Sequence, residues 1–346
     1  MNTSLLSVLT SILFCSAAYA AELPPLQSDT EPDRTDWTEL TAKYGPMPAV
    51  ASNLKIGGVS KTLTNEYWRS LGDGYKNLAD KHGFTLAYQA AANEDDQLGQ
   101  LSIAETLIAQ GFNGLLVSPQ TDANLQPAYE AAKNKNIPLV NVNDAVMPNA
   151  AYYVGNVQKD NGVRVANWFI THRPQGGKVA VIEGQPGVYA AAQRTKGFKE
   201  TLAANGNYPL VASVPANWSR ENAYNAAATI LQQHPDLIGF YANNDGMALG
   251  VVEAVNALGK SKQVAVFGTD GISDAYASIK RGELTGTVDS FPVLTGEVAM
   301  EVVLRLINGQ KLSRVISTPQ ALITKENADA FSTKDNEKLR QLLAQQ

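Results

Sequence analysis

The sequence predicts an α/β protein made of two doubly wound, parallel-sheet domains. Three observations support this prediction: short apolar runs alternate with amphipathic stretches, the alternation starts again in the second half, and 346 residues suffice for two domains. The first series has predicted strands at 54–59, 84–87, 114–117 and 138–142, with helices near 66–82, 96–110 and 123–135. After a strand at 152–154, the second series has strands at 178–182, 210–214, 238–241 and 264–267, with helices near 160–172, 190–204, 220–233 and 246–258.

Polar and aromatic residues follow the predicted strands, where parallel sheets of this kind bind ligands. With two such domains, we expect the ligand site in the cleft between them. The first series contributes Lys61, Asn65, Tyr67, Trp68, Asn143 and Asp144. The second series contributes Arg194, Trp218, Asn244 and Asp270.

This mixture of residue types fits a sugar or polyol. Each hydroxyl both donates and accepts a hydrogen bond, so it pairs well with carboxylate, amide and guanidinium groups. The C–H faces of a sugar pack on aromatic rings, which bury a large area. The sequence therefore predicts a binding cleft for a small polyhydroxy ligand.

The residues alone leave other interpretations open. Tyr67 and Trp68 are also consistent with core residues of the first helix, and Arg194 with a solvated residue that pairs with Glu200. Other readings make Asp270 the cap of the next helix, Asp245 a cap or turn residue, Lys61 a solvent-facing residue and 94–96 the charged start of a helix.

Residues 1–20 predict a secretory signal peptide cut after Ala20, because an uncharged apolar run ends in small residues. The sole cysteine, Cys15, would leave with this peptide, so we expect a soluble, exported chain without thiol chemistry. Residues 21–52, here called the arm, predict an extended segment before the first domain. Trp37, Leu40 and Tyr44 would hold part of it on the surface, and a disordered linker is the alternative.

Other classes of function find little support. A net charge of −5 argues against nucleic acid and anionic membranes as partners, and no helix-turn-helix precedes Leu54. His82, His172 and His234 lack metal-ligand spacing, and nucleophile-elbow and P-loop motifs are missing from the sequence. We therefore expect no enzyme, no cofactor and no bound metal.

Four stretches, "KTLTNEYW", "PANWSR", "ANNDGMALG" and "VFGTDGISDA", resemble motifs of the periplasmic sugar-binding proteins of the ribose/galactose type. The resemblance covers about residues 54–325 and is strongest to the allose-binding members, with the ribose-binding members next. It implies the type I periplasmic binding protein fold, with chain crossings near 157, 290 and 318. The implied domains are 53–157 plus 291–318 and 158–290 plus 319–346, with 292–309 as a helix of the first.

The same resemblance implies roles for the residues in the cleft. Tyr67 and Trp68 would be the stacking pair and Trp218 the opposing plate, with the polar residues above as ligand contacts. Two positions depart from the family pattern: Asn143 replaces the usual Asp, and Ser290, beside Asp289, replaces the usual Gln. These departures leave the exact sugar undefined.

The implied function is a monomeric periplasmic protein that captures an aldohexose-like sugar or polyol. It would deliver this ligand to the membrane permease of an ABC importer after the domains close. A sensor that presents its closed form to a sensor kinase or chemoreceptor is the alternative.

Overall fold

The computed structural model describes residues 23–333 and 335–344. The predicted signal peptide lies outside these residues. The strands, in chain order, are β1 Arg34–Asp36, β2 Lys55–Ser60, β3 Thr85–Ala90, β4 Gly114–Val117, β5 Leu139–Val142, β6 Tyr153–Gly155, β7 Val179–Glu183, β8 Leu210–Pro215, β9 Gly239–Ala242, β10 Ala265–Asp270, β11 Gly286–Asp289, β12 Val315–Ser317 and β13 Ala321–Thr324. The α-helices are α1 Leu40–Tyr44, α2 Glu66–His82, α3 Gln97–Ala109, α4 Gln126–Asn134, α5 Gln158–His172, α6 Tyr189–Asn205, α7 Arg220–Gln233, α8 Asp245–Ala257, α9 Ser273–Arg281, α10 Pro292–Ile307, α11 Ala328–Phe331 and α12 Asn336–Leu343.

The strands form two sheets, which confirms the predicted α/β class with two parallel-sheet domains. The first sheet has the order β1-β12-β6-β5-β4-β2-β3, and the second has the order β13-β11-β10-β9-β7-β8. The strand pairs are parallel except for β11 with the edge strand β13. The residues of β4, β5 and β9 are buried throughout, because helices cover both faces of a parallel sheet.

The chain passes between the two sheets at three places, as the family resemblance implies. It leaves the first sheet between β6 and α5, returns between β11 and α10, and leaves again between β12 and β13. Helix α10 packs against α2 of the first domain. Glycines permit this close approach, because a Cβ atom on Gly74 would lie 2.1 Å from the Val293 carbonyl oxygen.

The arm packs on the first sheet, so the disordered-linker alternative is wrong for its described part. Strand β1 pairs in parallel with β12 at the sheet edge. Trp37 and Leu40 are buried, and the Tyr44 hydroxyl accepts a 2.9 Å hydrogen bond from the amide of Ser313. These contacts confirm that Trp37, Leu40 and Tyr44 hold the arm. Among the described residues, no helix is both long and apolar enough to cross a membrane.

A candidate ligand-binding cleft between the domains

A small cavity of about 10 Å³ lies between the two domains, beyond the carboxyl ends of the strands. Ligand pockets usually have roughly 300 Å³ or more, so the two domains leave little free space between them in this arrangement. Its walls are formed by Asn65, Tyr67, Trp68, Glu94, Asp144, Arg194, Trp218, Asn244 and Asp270. All of them except Glu94 are residues that the sequence singled out. Lys61, Asn143 and Ser290 are buried around the cavity but do not form its walls.

The start of α2 positions three of the wall residues. Asn65 caps this helix, since its side-chain oxygen accepts a 3.0 Å hydrogen bond from the amide of Tyr67. The rings of Tyr67 and Trp68 then meet edge to face, with centroids 4.8 Å apart. Both are buried as core residues would be, yet both also line the cavity. The cap therefore places two aromatic rings beyond the carboxyl ends of the strands of the first sheet.

Lys61 lies behind this wall, and its ammonium pairs with a carboxylate. Its Nζ is 2.6 Å from Asp144 Oδ1, and the Lys61 side chain is 1% exposed. The interpretation of Lys61 as a solvent-facing residue is therefore wrong. The ammonium also lies 5.6 Å from the ring centroid of Trp68 and 5.5 Å from that of Trp218, which belongs to the opposite domain. Among the described residues, Lys61 Nζ has an ion pair but no well-aligned hydrogen bond, so it retains donors for a ligand.

Asn143 supports Tyr67 and does not face the cavity. Its amide nitrogen donates a 2.6 Å hydrogen bond to the Tyr67 hydroxyl, and its oxygen accepts from Tyr153 and Gln158 at 3.2 and 3.3 Å. Ser290 is likewise fully buried, at the passage between β11 and α10. The buried Ser290 hydroxyl has no hydrogen-bond partner among the described residues, and the direct ligand contact expected of Asn143 and Ser290 stays a prediction.

Arg194 is buried in the second domain, which makes its interpretation as a solvated partner of Glu200 wrong. Its Nε donates to Gln158 Oε1 at 3.0 Å and its Nη1 donates to the carbonyl oxygen of Asn243 at 2.7 Å. Glu200 instead pairs with Lys159. Burial lowers the pKa of Arg194, but the nearby carboxylates of Asp270 and Asp144 raise it. Their effect is the larger, so the pKa lies above its usual value. The guanidinium therefore stays charged.

Asp270 ends β10 and lies across from this guanidinium, with Oδ1 3.8 Å from Arg194 Nη1. Its carboxylate accepts no hydrogen bond from any described residue. Burial raises the pKa of Asp270 well above its usual range, and Arg194 offsets part of that rise. Helix α9 begins after Ile272, so the interpretation of Asp270 as its cap is wrong. An acceptor held without a donor in a closed cavity is suited to a ligand hydroxyl.

Asp245 braces the loop that follows Asp270, which agrees with its expected role as a cap or turn residue. Its Oδ2 accepts hydrogen bonds from the amides of Gly271 and Ile272 at 2.8 and 3.1 Å. Burial raises the pKa of Asp245 to about 6, and these hydrogen bonds limit the rise.

Trp218 and Asn244 complete the second-domain wall. Trp218 has a φ of 63°, and its ring packs on Gly184, where a Cβ atom would lie 2.1 Å from the ring. Asn244 caps α8, since its Oδ1 accepts a 2.9 Å hydrogen bond from the Met247 amide. The amide nitrogen of Asn244 has no hydrogen-bond partner among the described residues, so it remains available to a ligand.

Glu94 is the wall residue that the sequence analysis missed. Its Oε1 accepts a 3.1 Å hydrogen bond from the indole nitrogen of Trp68. Burial raises the pKa of Glu94, and Lys61 offsets part of that rise. Residues 94–96 were predicted to be the charged start of a helix. This prediction is correct for Asp96, which caps α3. The position of Glu94 after β3, at the same sheet edge, was the signal for a wall residue.

A family model described as a periplasmic binding protein domain matches residues 56–311. The chain belongs to the periplasmic binding protein family. This membership implies export to the periplasm. The family is one of binding proteins, not enzymes. Among the described residues, no cluster of three or more His, Cys, Asp or Glu side chains could hold a metal ion.

Relatives of this periplasmic binding protein carry names that describe sugar binding. It is 33% identical to the D-allose-binding periplasmic protein of Escherichia coli over 76% of this chain and 86% of that relative. It is also 33% identical to the ribose import binding protein RbsB of Bacillus subtilis, over 81% and 91% of the two chains. A solved ABC transporter solute-binding protein from Actinobacillus succinogenes with bound D-allose is 31% identical, with a TM-score of 0.77 over 80% of this chain and 99% of that one.

Proposed function

We propose that this protein binds a small sugar or polyol, aldohexose-like in size, in the interdomain cleft and delivers it to an ABC importer. One observation carries the proposal. Trp68 and Trp218 come from opposite domains and border one cavity whose other walls hold carboxylates, amides and a guanidinium. The relatives with allose and ribose in their names support the same ligand class.

The cavity offers enough interactions for useful affinity. Asp144, Arg194 and Asp270 supply charged partners on both walls. A hydrogen bond to a charged group contributes roughly 1.5–3 kcal/mol. Several such bonds, together with the burial of a sugar face on the rings, would reach about −8 kcal/mol, which corresponds to micromolar binding.

The division of the chain follows from the same proposal. Residues 53–157 plus 291–318 would form the first domain, and 158–290 plus 319–346 the second, with closure by bending at the three passages. The exported chain would begin after Ala20 and act as a monomer. Its closed form would be the one that the membrane permease recognises. The relatives do not favour the alternative of a sensor.

A thermal-shift screen of the chain from residue 21 onward tests the ligand class. The screen compares aldohexoses, pentoses, polyols and amine oxides. A ligand present at a hundred times its dissociation constant should stabilise the protein by roughly 2.7 kcal/mol. Stabilisation by an amine oxide, with none by any sugar or polyol, would contradict the proposal.

Small-angle scattering tests the proposed closure. Both domains contribute wall residues, so a ligand should favour the closed arrangement and reduce the radius of gyration. An unchanged radius at saturating ligand would mean that the site lies in one domain or that the ligand-free form is already closed.

A further inference from the structure

The arm contacts both domains, although the family match begins only at residue 56. Strand β1 ties it to β12, and the amide of Leu26 donates a 2.7 Å hydrogen bond to the Pro148 carbonyl oxygen. The Leu26 side chain is buried in the same apolar cluster as Met147 and Tyr189. Since Tyr189 begins α6 of the second domain, the arm bridges the two halves.

Helix α5 takes its cap from the arm. The residue before it is Val157, whose side chain makes no capping hydrogen bond. The first amides of a helix need acceptors, and a valine has none to offer. The carboxylate of Asp29 fills this role, because it accepts hydrogen bonds from the amides of Gln158 and Lys159 at 3.0 and 2.7 Å. The negative charge also suits the positive end of the helix dipole.

Helix α6 takes its acceptors from the first domain in the same way. The residue before it is Val188, which again makes no side-chain cap. The Tyr189 amide donates to Asp122 Oδ1 at 3.2 Å, and the Ala190 amide donates to the Asp144 carbonyl oxygen at 3.2 Å. The Tyr189 hydroxyl in turn accepts a 3.2 Å hydrogen bond from the amide of Asp29.

We propose that Asp29 and Asp122 form a clasp that favours the closed arrangement of the domains and so sets the ratio of open to closed molecules before a ligand binds. Bending at the passage that precedes α5 would pull both helices from their acceptors, because the arm is anchored to the first domain. An ion pair also holds the arm on the first domain, because Arg314 Nη1 lies 3.0 Å from Glu31 Oε2. Loss of a capping side chain lowers the equilibrium constant for forming the capped helix by about 2- to 30-fold. We expect a similar change in the ratio of open to closed molecules.

Distance measurements between spin labels test the clasp. The chain from residue 21 onward has no cysteine, so cysteines placed at the exposed Glu105 in α3 and Glu221 in α7 can be labelled selectively. Without any ligand, Asp29→Ala and Asp122→Ala should each raise the ratio of open to closed molecules by about 5-fold. A matched control is Asp33→Ala, since Asp33 is an arm carboxylate that accepts from the Arg314 amide at 3.0 Å, on the first-domain side. This control should keep the parental distances.

Thermal unfolding identifies which variants are folded before their distances are interpreted. The two variants act on different helices, so one that does not fold still leaves the other as a test. Parental distances in every folded clasp variant would overturn the clasp, and so would an equal opening in Asp33→Ala. Because the measurement needs no ligand, its outcome is separate from that of the proposed sugar binding.

Discussion

The two walls of the cleft hold their charges differently. On the first-domain wall, Lys61 and Asp144 pair directly at 2.6 Å. On the second-domain wall, Arg194 and Asp270 are 3.8 Å apart, and neutral oxygens of Gln158 and Asn243 hold the guanidinium. The first wall is therefore paired before a ligand arrives, whereas the second retains an acceptor without a donor. Removal of a partner should cost most on the first wall.

The two tryptophan rings of the cleft, Trp68 and Trp218, are also held in different ways. Trp68 lies in a helix, and its indole nitrogen donates to Glu94. Trp218 lies in a loop with a positive φ, and its buried indole nitrogen has no hydrogen-bond partner among the described residues. Gly184 supports its ring. The first plate is thus held by hydrogen bonding and the second by close packing.

Lys61→Met should have the largest effect on ligand binding. It leaves the Asp144 carboxylate unpaired in a closed site, which should cost roughly 3–5 kcal/mol of affinity. The control is the double variant Lys61→Met, Asp144→Asn, which removes the stranded charge and should lose less than the sum of the single losses. Isothermal titration calorimetry of the four proteins measures the cycle. Strict additivity would show that the two residues act separately.

Asp289→Asn should change how stability depends on pH in the second domain. Burial raises the pKa of Asp289 to about 7 from 3.8. Between about pH 4 and 7 the folded state therefore holds a proton that the unfolded state has lost, and stability falls as pH rises through this window. At about 1.36 kcal/mol per pKa unit, the upper limit of this loss is about 4 kcal/mol.

The asparagine variant lacks this titration, so its stability relative to the parent should grow from pH 5 to pH 8. Urea unfolding at both pH values measures the difference. Asp274→Asn, at an exposed position at the start of α9, is the control and should show no such trend. An Asp289→Asn curve parallel to the parental curve would show that this carboxyl does not titrate in the window.

Asp270→Asn should weaken binding less than Lys61→Met, because the buried Arg194 guanidinium, 3.8 Å away, keeps its hydrogen bonds to Gln158 and Asn243. It replaces a charged acceptor by a neutral one and should lose roughly 1.5–3 kcal/mol if that acceptor bonds a ligand hydroxyl. Asp274→Asn, at an exposed position at the start of α9, is the control for a general disturbance of this region and should bind nearly as the parent does. Equal losses in the two variants would place the effect of Asp270 in such a disturbance and not in ligand contact.

Trp68→Ala and Trp218→Ala should each weaken binding by about 10-fold or more while the fold stays intact. Each removes a plate, with its buried area and roughly 0.5–1.5 kcal/mol of stacking beyond it. Calorimetry measures affinity, and circular dichroism confirms the fold. Parental binding by either variant would remove that residue from the proposed sandwich.

Gly184→Ala tests the position of the Trp218 ring with a smaller change than removal of the ring. The new methyl group would occupy the space of the Trp218 ring and should shift that plate alone. We expect a loss below that of Trp218→Ala in the same titrations. A loss as large as that of Trp218→Ala would show that the position of the ring matters as much as its presence.

Local patterns predicted most of the secondary structure. Helix 66–82 begins and ends where the structure has α2, because Asn65 is a strong cap and Gly83 adopts the left-handed conformation that ends a helix. The strands at 114–117 and 138–142 were visible as apolar runs. Strands β1, β11, β12 and β13 were missed, since three or four residues leave too short a pattern.

The choice between neighbouring side chains needed the tertiary structure. Asn143 and Asp144 are adjacent, and neighbouring residues point in different directions, so only Asp144 reaches the cavity. Glu94 was missed because an acidic residue near a helix start has a simpler local explanation than a place in a cleft.

The sequence by itself determined the α/β class, the two series of strands and the edge of each sheet where polar residues gather, because periodicity and capping are local properties. Only the tertiary structure decided that Lys61 pairs with Asp144, that Trp68 and Trp218 border one cavity, and that the arm caps α5. Such contacts join residues far apart in the chain. The physical reason is that they depend on how the two domains and the arm pack, which no short stretch of sequence records.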